Sequence, residues 1–503
     1  MANESADKTE MPSGEQANGK GDKKPVFGEE TPVETTHELI VGDRTLRYKV
    51  TAGRLPLKNH LEDKPEIDAQ VFFTYYALQN EKKKKKEGAA PATADRPLTF
   101  AFNGGPGSAS VWLHLGALGP QRVVLNPDGS LPPPPYRLEA NPETWLTETD
   151  LVFIDPVGTG YSRAKDEETA KKYYDVDGDI ASIAEFIRLF LTRYERWASP
   201  LFLAGESYGT TRSAGLAGYL IDRGIAFTGI ILISTVLSLQ TIRFHPGNEL
   251  PFALYLPAYT ATAWYHKQLG EELQSRDLPD VLREAETFAY GPYTLALLQG
   301  DRLPADQRAK MIREVARLTG LSETYVEQRD LRIEHWRFCK ELLRSRGVIV
   351  GRIDSRLTAR ESSNAAETPS FDSSMLNPVF TAGINDYLGR TLAYKTDLPY
   401  SVSGEGVNGQ WKWANGAFTE TATALSKALA KNPHLRILFT CGYYDLATPY
   451  TAAEYTAAHL GIDPLYRDKV SFTYYPAGHM MYIEQESRRQ LQRDVTAFIT
   501  APA

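Results

Sequence analysis

A chain of 503 residues with 42% apolar, 11% aromatic and 24% charged side chains can bury a large core, which excludes a disordered or low-complexity protein. Its 56 Lys and Arg against 63 Asp and Glu give a net charge of −7, and its one basic block is Lys82–Lys86, so nucleic acid is not the expected partner. No apolar run approaches the roughly 20 residues of a membrane span.

Residues 1–36 hold eight acidic and four basic side chains with Phe27 as their only aromatic, and read as a disordered tail. They lack the apolar core of a signal peptide. The sequence as it stands is therefore expected in the cytoplasm, or in the periplasm or outside the cell if an export signal has been trimmed. His37–Val41 and Thr45–Val50 flank Gly42-Asp43 as a hairpin, and Ala69–Leu78 with Pro97–Phe102 reads as a second pair. Lys82–Lys86, between them, reads as a solvated loop tip. Further along, the short apolar runs Leu151–Asp155, Leu201–Ala204, Gly229–Ser234, Leu435–Thr440 and Val470–Tyr475 alternate with amphipathic segments. In Asp177–Trp197, for instance, Ile180, Ile183, Ile187, Leu191 and Tyr194 share one helical face. The pattern predicts a mostly parallel sheet with crossover helices. Core segments are expected at 37–242 and 395–503, separated by an inserted, mainly helical cap over 243–394. The cap includes Pro304–Gly320, Ser322–Arg346 and a Ser-rich loop at Glu361–Ser374. Cys339 and Cys441 are too few for a disulfide framework. One bridge is conceivable, but two buried free thiols are expected.

The chemistry concentrates in three places. Gly205-Glu206-Ser207-Tyr208-Gly209 follows an apolar strand and precedes the small-residue helix Thr210–Ile221, the setting of a nucleophile elbow that lifts a serine hydroxyl above a sheet. A plain strand-to-helix turn is the alternative. Serine needs a base and the base needs an orienting carboxylate. Asp445 and His479 each follow a predicted strand, in the order Ser, Asp, His. His434 precedes a strand and His459 sits in a helical stretch, so neither is well placed. Asn103-Gly104-Gly105-Pro106-Gly107 follows another strand, where a backbone donor to an oxyanion is expected. No Lys-Ser/Thr follows it, which disfavours a phosphate loop.

Taken together, Asn103–Ser110 (NGGPGSAS), Asp150–Ser162 (DLVFIDPVGTGYS), Gly205–Gly209 (GESYG), Gly442–Asp445 and Ala477–Met480 (AGHM) resemble, in order, the motifs of the serine carboxypeptidases. The resemblance implies an α/β-hydrolase fold, with a mostly parallel central sheet and an inserted helical cap, that releases C-terminal amino acids from peptides through an acyl-enzyme on Ser207. Carried over position by position, it makes Ser207, Asp445 and His479 the catalytic triad and Gly105 and Tyr208 the oxyanion donors. Asn103, Gly104 and Glu206 hold the substrate's terminal carboxylate, and Met480 lies beside the leaving amino acid. It implies no metal, no cofactor and a peptide or small acyl partner, and leaves the oligomeric state open. Two positions depart from the pattern. Ser108 stands where the family carries cysteine. Ala117-Leu118-Gly119-Pro120 replaces Glu-x-Gly-Pro, removing the glutamate that pairs with the carboxyl at Glu206. An esterase or acyltransferase with the same triad, and a catalytically silent hydrolase fold used for binding, are the competing readings.

Overall fold

In the computed structural model, residues 28–58, 66–79, 96–360, 371, 375–404, 406–414 and 418–502 are described. The chain opens with β1 (Val33–Val41) and β2 (Arg44–Lys58), paired antiparallel as the expected hairpin around Gly42 at φ +62°. β3 (Ile67–Leu78) adds antiparallel to β2. Then come β4 (Leu98–Phe102), β5 (Asp150–Ile154), β6 (Leu201–Glu206), β7 (Gly229–Ile233), β8 (Arg436–Gly442) and β9 (Val470–Tyr475). The sheet order is β1-β2-β3-β5-β4-β6-β7-β8-β9, with Arg163–Ala164 as a short addition beside β3. All pairings from β5 to β9 are parallel.

Central strands covered on both faces must be apolar throughout, and every residue of β4 to β7 is buried. Their side chains still alternate between faces. Phe100 and Phe102 pack with α1 (Val176–Arg193), α2 (Tyr208–Ile221) and α7 (Ala422–Lys431), whereas Ala101 joins the opposite core with Trp112, Phe380 and α9 (Gln485–Thr500). Between α2 and α7 lie α3 (Leu250–Tyr265), α4 (Leu278–Phe288), α5 (Ala305–Thr319) and α6 (Asn377–Asp386), and α8 (Tyr450–Ala458) follows β8. The strand order, the parallel run and helices on both faces are those of the α/β-hydrolase fold.

Three expectations need correction. Ala69–Leu78 does not pair with Pro97–Phe102, because β5 lies between them, antiparallel to β3 and parallel to β4. A fully buried β4 needs neighbours on both edges, and parallel alignment with β6 brings its C-terminal end to the edge that carries Ser207. The tail also ends earlier than residue 36. Strand β1 begins at Val33, Glu29 pairs with Lys58 and Glu30 with Arg54, each at 2.6 Å, so these charges hold the strand edge and are not simply solvated. Residues 1–27 lie outside the described residues, as do Lys82–Lys86 and most of Glu361–Ser374. Finally, the cap region divides. Phe252 to Val350 form one helical core, but Phe380, Tyr387 and Tyr394 pack into the core under the sheet. Cys339 and Cys441 are free and buried. No helix among the described residues is long and apolar enough to cross a membrane.

Candidate active site

β6 ends at Glu206 and α2 begins at Tyr208. Between them Ser207 adopts φ +59° and ψ −128°, a conformation that non-glycine residues rarely take and that marks a nucleophile elbow. The turn is pinned by Ser207 N–H, which donates to Ile233 O at 2.9 Å. It is tight enough that a Cβ on Gly205 would lie 2.2 Å from Gly209 O.

His479 Nδ1 and Asp445 Oδ2 are 2.7 Å apart and both side chains are buried. The carboxylate is oriented by Ala447 N–H and Thr448 N–H, which donate to Oδ1 at 2.7 and 2.9 Å, and by Thr448 Oγ1, which donates to Oδ2 at 2.7 Å. Burial opposes charge on the imidazole. Asp445, and then Glu206, outweigh it and hold His479 above its ordinary range, while Arg352 pulls the other way.

Ser207 and His479 open on one cavity of about 610 Å³, within the range of small-ligand sites. Asn103, Gly104, Gly105, Glu206, Tyr208 and Met480 line it as well. The nine residues given site roles from sequence are thus brought together, with Asp445 behind His479. The glycine loop lies backbone to backbone on the elbow. A Cβ on Gly104 would sit 2.5 Å from Tyr208 N and 2.7 Å from Gly209 N. Tyr208 opens α2, so its N–H has no partner within the helix.

Glu206 Oε2 accepts hydrogen bonds from Asn103 Nδ2 at 3.0 Å and from Tyr482 OH at 2.5 Å. Burial pushes its pKa up to about 7, against the opposing pull of His479, Tyr482 and Asn103. Asn103 is itself anchored, its Oδ1 accepting from Leu113 N–H at 3.1 Å and its carbonyl from Arg212 Nη1 at 2.7 Å. Arg212 also pairs with Asp179 at 2.8 Å, and Tyr208 OH donates to the same carboxylate at 3.1 Å. Ser108, standing where the resembled family has cysteine, bridges to Ser403 through backbone.

Sequence reasoning missed Tyr482, Thr448, Arg212, Asp179, Arg243 and Arg352. Tyr482 follows His479 by three positions, and its ring lies on Gly116, where a Cβ would come within 2.6 Å. The adjacent small residues Gly116 and Ala117 were the available clue. A charge inside the small-residue helix α2 was the clue to Arg212.

Residues 59–231 match the family model described as serine carboxypeptidase. Over 165 residues the chain is 32% identical to the pheromone-processing carboxypeptidase KEX1 of Saccharomyces cerevisiae, covering 31% of this chain and 20% of that protein. It is 32% identical to the serine carboxypeptidase-like 33 of Arabidopsis thaliana over 165 residues, covering 31% and 30%, and 28% identical to a carboxypeptidase Y homolog of Arthroderma benhamiae over 165 residues, covering 33% and 28%. The matches thus span less than a third of each of these relatives. Among solved structures, the haloalkane dehalogenase DatA of Agrobacterium tumefaciens superposes with a TM-score of 0.36 at 12% identity, covering 90% and 96% of the two chains. A carboxyl esterase of Bacillus coagulans does so with 0.34 at 11% identity, covering 89% and 97%.

Proposed function

We propose that this chain, whose residues 59–231 match the serine carboxypeptidase family model, removes C-terminal amino acids from peptides through an acyl-enzyme. The observation that carries this reading is the buried Glu206–Asn103 pair, which lines the same cavity as Ser207 and His479. A near-neutral carboxyl beside an amide donor suits the terminal carboxylate that distinguishes an exopeptidase substrate.

In this reading Ser207 Oγ attacks the last peptide carbonyl as His479 Nε2 takes its proton, and Asp445 holds the imidazole and steadies its charge. Backbone N–H groups of Gly105 and Tyr208 receive the oxyanion. His479 then returns the proton to the departing amino group, next to Met480, while Asn103, Gly104 and protonated Glu206 hold the terminal carboxylate. Water, activated by the same imidazole, releases the shortened peptide.

The test is a blocked dipeptide offered as its free acid and as its C-terminal amide. The acid should be cleaved at a kcat/KM far above that of the amide, with a fluorophosphonate labelling Ser207. Hydrolysis of simple esters without either peptide would reassign the site to ester substrates.

A further inference from the structure

The cavity holds two cations that the reaction above does not use. Arg243 and Arg352 line it together with Ser207 and His479. Among the described residues neither guanidinium has an ion-pair partner, although nearby Arg356 pairs with Asp354 at 2.6 Å. Arg243 lies over the Trp413 ring, 4.9 Å from its centroid. Among the described residues Glu206 is the one acidic side chain in the lining, and its Oε2 is taken up by Asn103 and Tyr482. The two guanidinium groups therefore present positive charge to the cavity without an ion-pair partner among the described residues.

Arg352 is also built in. Its carbonyl accepts from Leu446 N–H at 3.1 Å, next to Asp445, and the following carbonyl, of Ile353, accepts from His479 N–H at 2.6 Å. The residue is clamped between the loops that carry the acid and the base, so its side chain starts from a fixed point beside the reacting centre. A guanidinium offers a planar fork matched to a carboxylate, and it is worth most where water is partly excluded.

We infer that Arg352, with Arg243 as a second cation, selects peptides that carry an aspartate or glutamate side chain on a residue flanking the scissile bond. The inference rests on the carboxypeptidase reading, in which Asn103, Gly104 and Glu206 already serve the terminal carboxylate, so these arginines answer to a second negative charge.

The experiment compares blocked dipeptides in matched pairs, Glu against Gln, at the last and at the penultimate position. At pH 7 the ratio of kcat/KM, acid over amide side chain, should be about tenfold or more at one of the two positions. It should shrink as salt is raised, and close as pH falls through the side-chain carboxyl's own range near about 4. Arg352→Gln should bring the ratio close to unity, and Arg352→Lys should keep part of it. A purely structural role would lower both members of a pair together and leave the ratio intact. A wild-type ratio at or below unity at both positions, or one that survives Arg352→Gln, overturns the inference. If no peptide is cleaved at all, the carboxypeptidase reading fails by itself. The same ratio is then read on p-nitrophenyl esters of N-blocked Glu and Gln, with the same two outcomes.

Discussion

Tyr482 OH donates to Glu206 Oε2 at 2.5 Å, and this phenol takes up the buried carboxyl that Ala117 leaves without a glutamate partner. The exchange alters the electrostatics. A second carboxyl adds like charge and disfavours ionisation, whereas a phenolic donor favours the ionised form. The rise of Glu206 to about 7 therefore comes from burial, with Tyr482 tempering it.

Below about pH 7 Glu206 is protonated and can donate to a substrate carboxylate, and above it the ionised group repels that carboxylate. KM for free-acid peptides should rise as pH passes through about 7, while KM for uncharged esters stays flatter. Glu206→Gln, a permanent neutral donor, should flatten the peptide curve. Tyr482→Phe removes a donor to the ionised form and should move the rise to higher pH. Steady-state kinetics on both substrate types between pH 5 and 9 (about two units either side of the shifted value) check all three.

The same group makes stability depend on pH. With a folded pKa near 7 against an ordinary 4.5, the folded chain binds more protons than the unfolded one between those values, so stability falls as pH rises through that window. Above it, Glu206→Gln should be more stable than wild type by roughly 1–3 kcal/mol, and at pH 4 the two should converge. Chemical denaturation at pH 4 and pH 8 reads the difference.

Ser207→Ala should abolish fluorophosphonate labelling and lower kcat by roughly 10⁴–10⁶, because the triad acts as a unit. Asp445→Asn should cost about 10⁴ by presenting the wrong imidazole tautomer. Labelling retained in Ser207→Ala would place the nucleophile elsewhere.

Gly104→Ala should cut kcat by about 10²–10³, the usual cost of a displaced oxyanion donor. A methyl group 2.5 Å from Tyr208 N must push the glycine loop off the elbow. Pre-steady-state acylation, compared with melting temperature, separates this loss from unfolding.

Removing residues 1–36 should cost on the order of 1–3 kcal/mol, which in a chain of this size lowers the melting temperature by about 1–3 °C. The cut takes the first part of β1 and the Glu29–Lys58 and Glu30–Arg54 pairs. Thermal unfolding of the shortened protein is the check.

What could be read from sequence was whatever a short stretch determines. The elbow is local, since Gly205, Ser207 and Gly209 must all serve one turn, and Asp445 and His479 each follow an apolar run whose end marks a sheet edge. Adjacency misleads where pairing depends on a crossover: Ala69–Leu78 and Pro97–Phe102 are successive strands in the chain, yet β5 lies between them in the sheet. The start of β1 was hidden because an edge strand with one solvated face spells Glu34-Thr35-Thr36, which reads like tail. Tyr482 and Arg352 gain their meaning from tertiary neighbours alone. Nothing in Met481-Tyr482-Ile483 or Gly351-Arg352-Ile353 signals a carboxyl partner or a cavity wall.

The segment Arg352–Arg356 reaches in two directions. On one side it holds the loops of Asp445 and His479 and, through Arg356, the Pro476 carbonyl at 2.7 Å. On the other, Ser355 meets Thr262 Oγ1 and His266 Nε2 of the cap region, each at 2.7 Å. Acid and base are therefore aligned by the same strip of backbone that ties down the cap. A graft that exchanges Phe252–Val350 for a foreign lid can keep a working triad only if this strip, with matching groups for its cap-facing side, travels as part of the catalytic body.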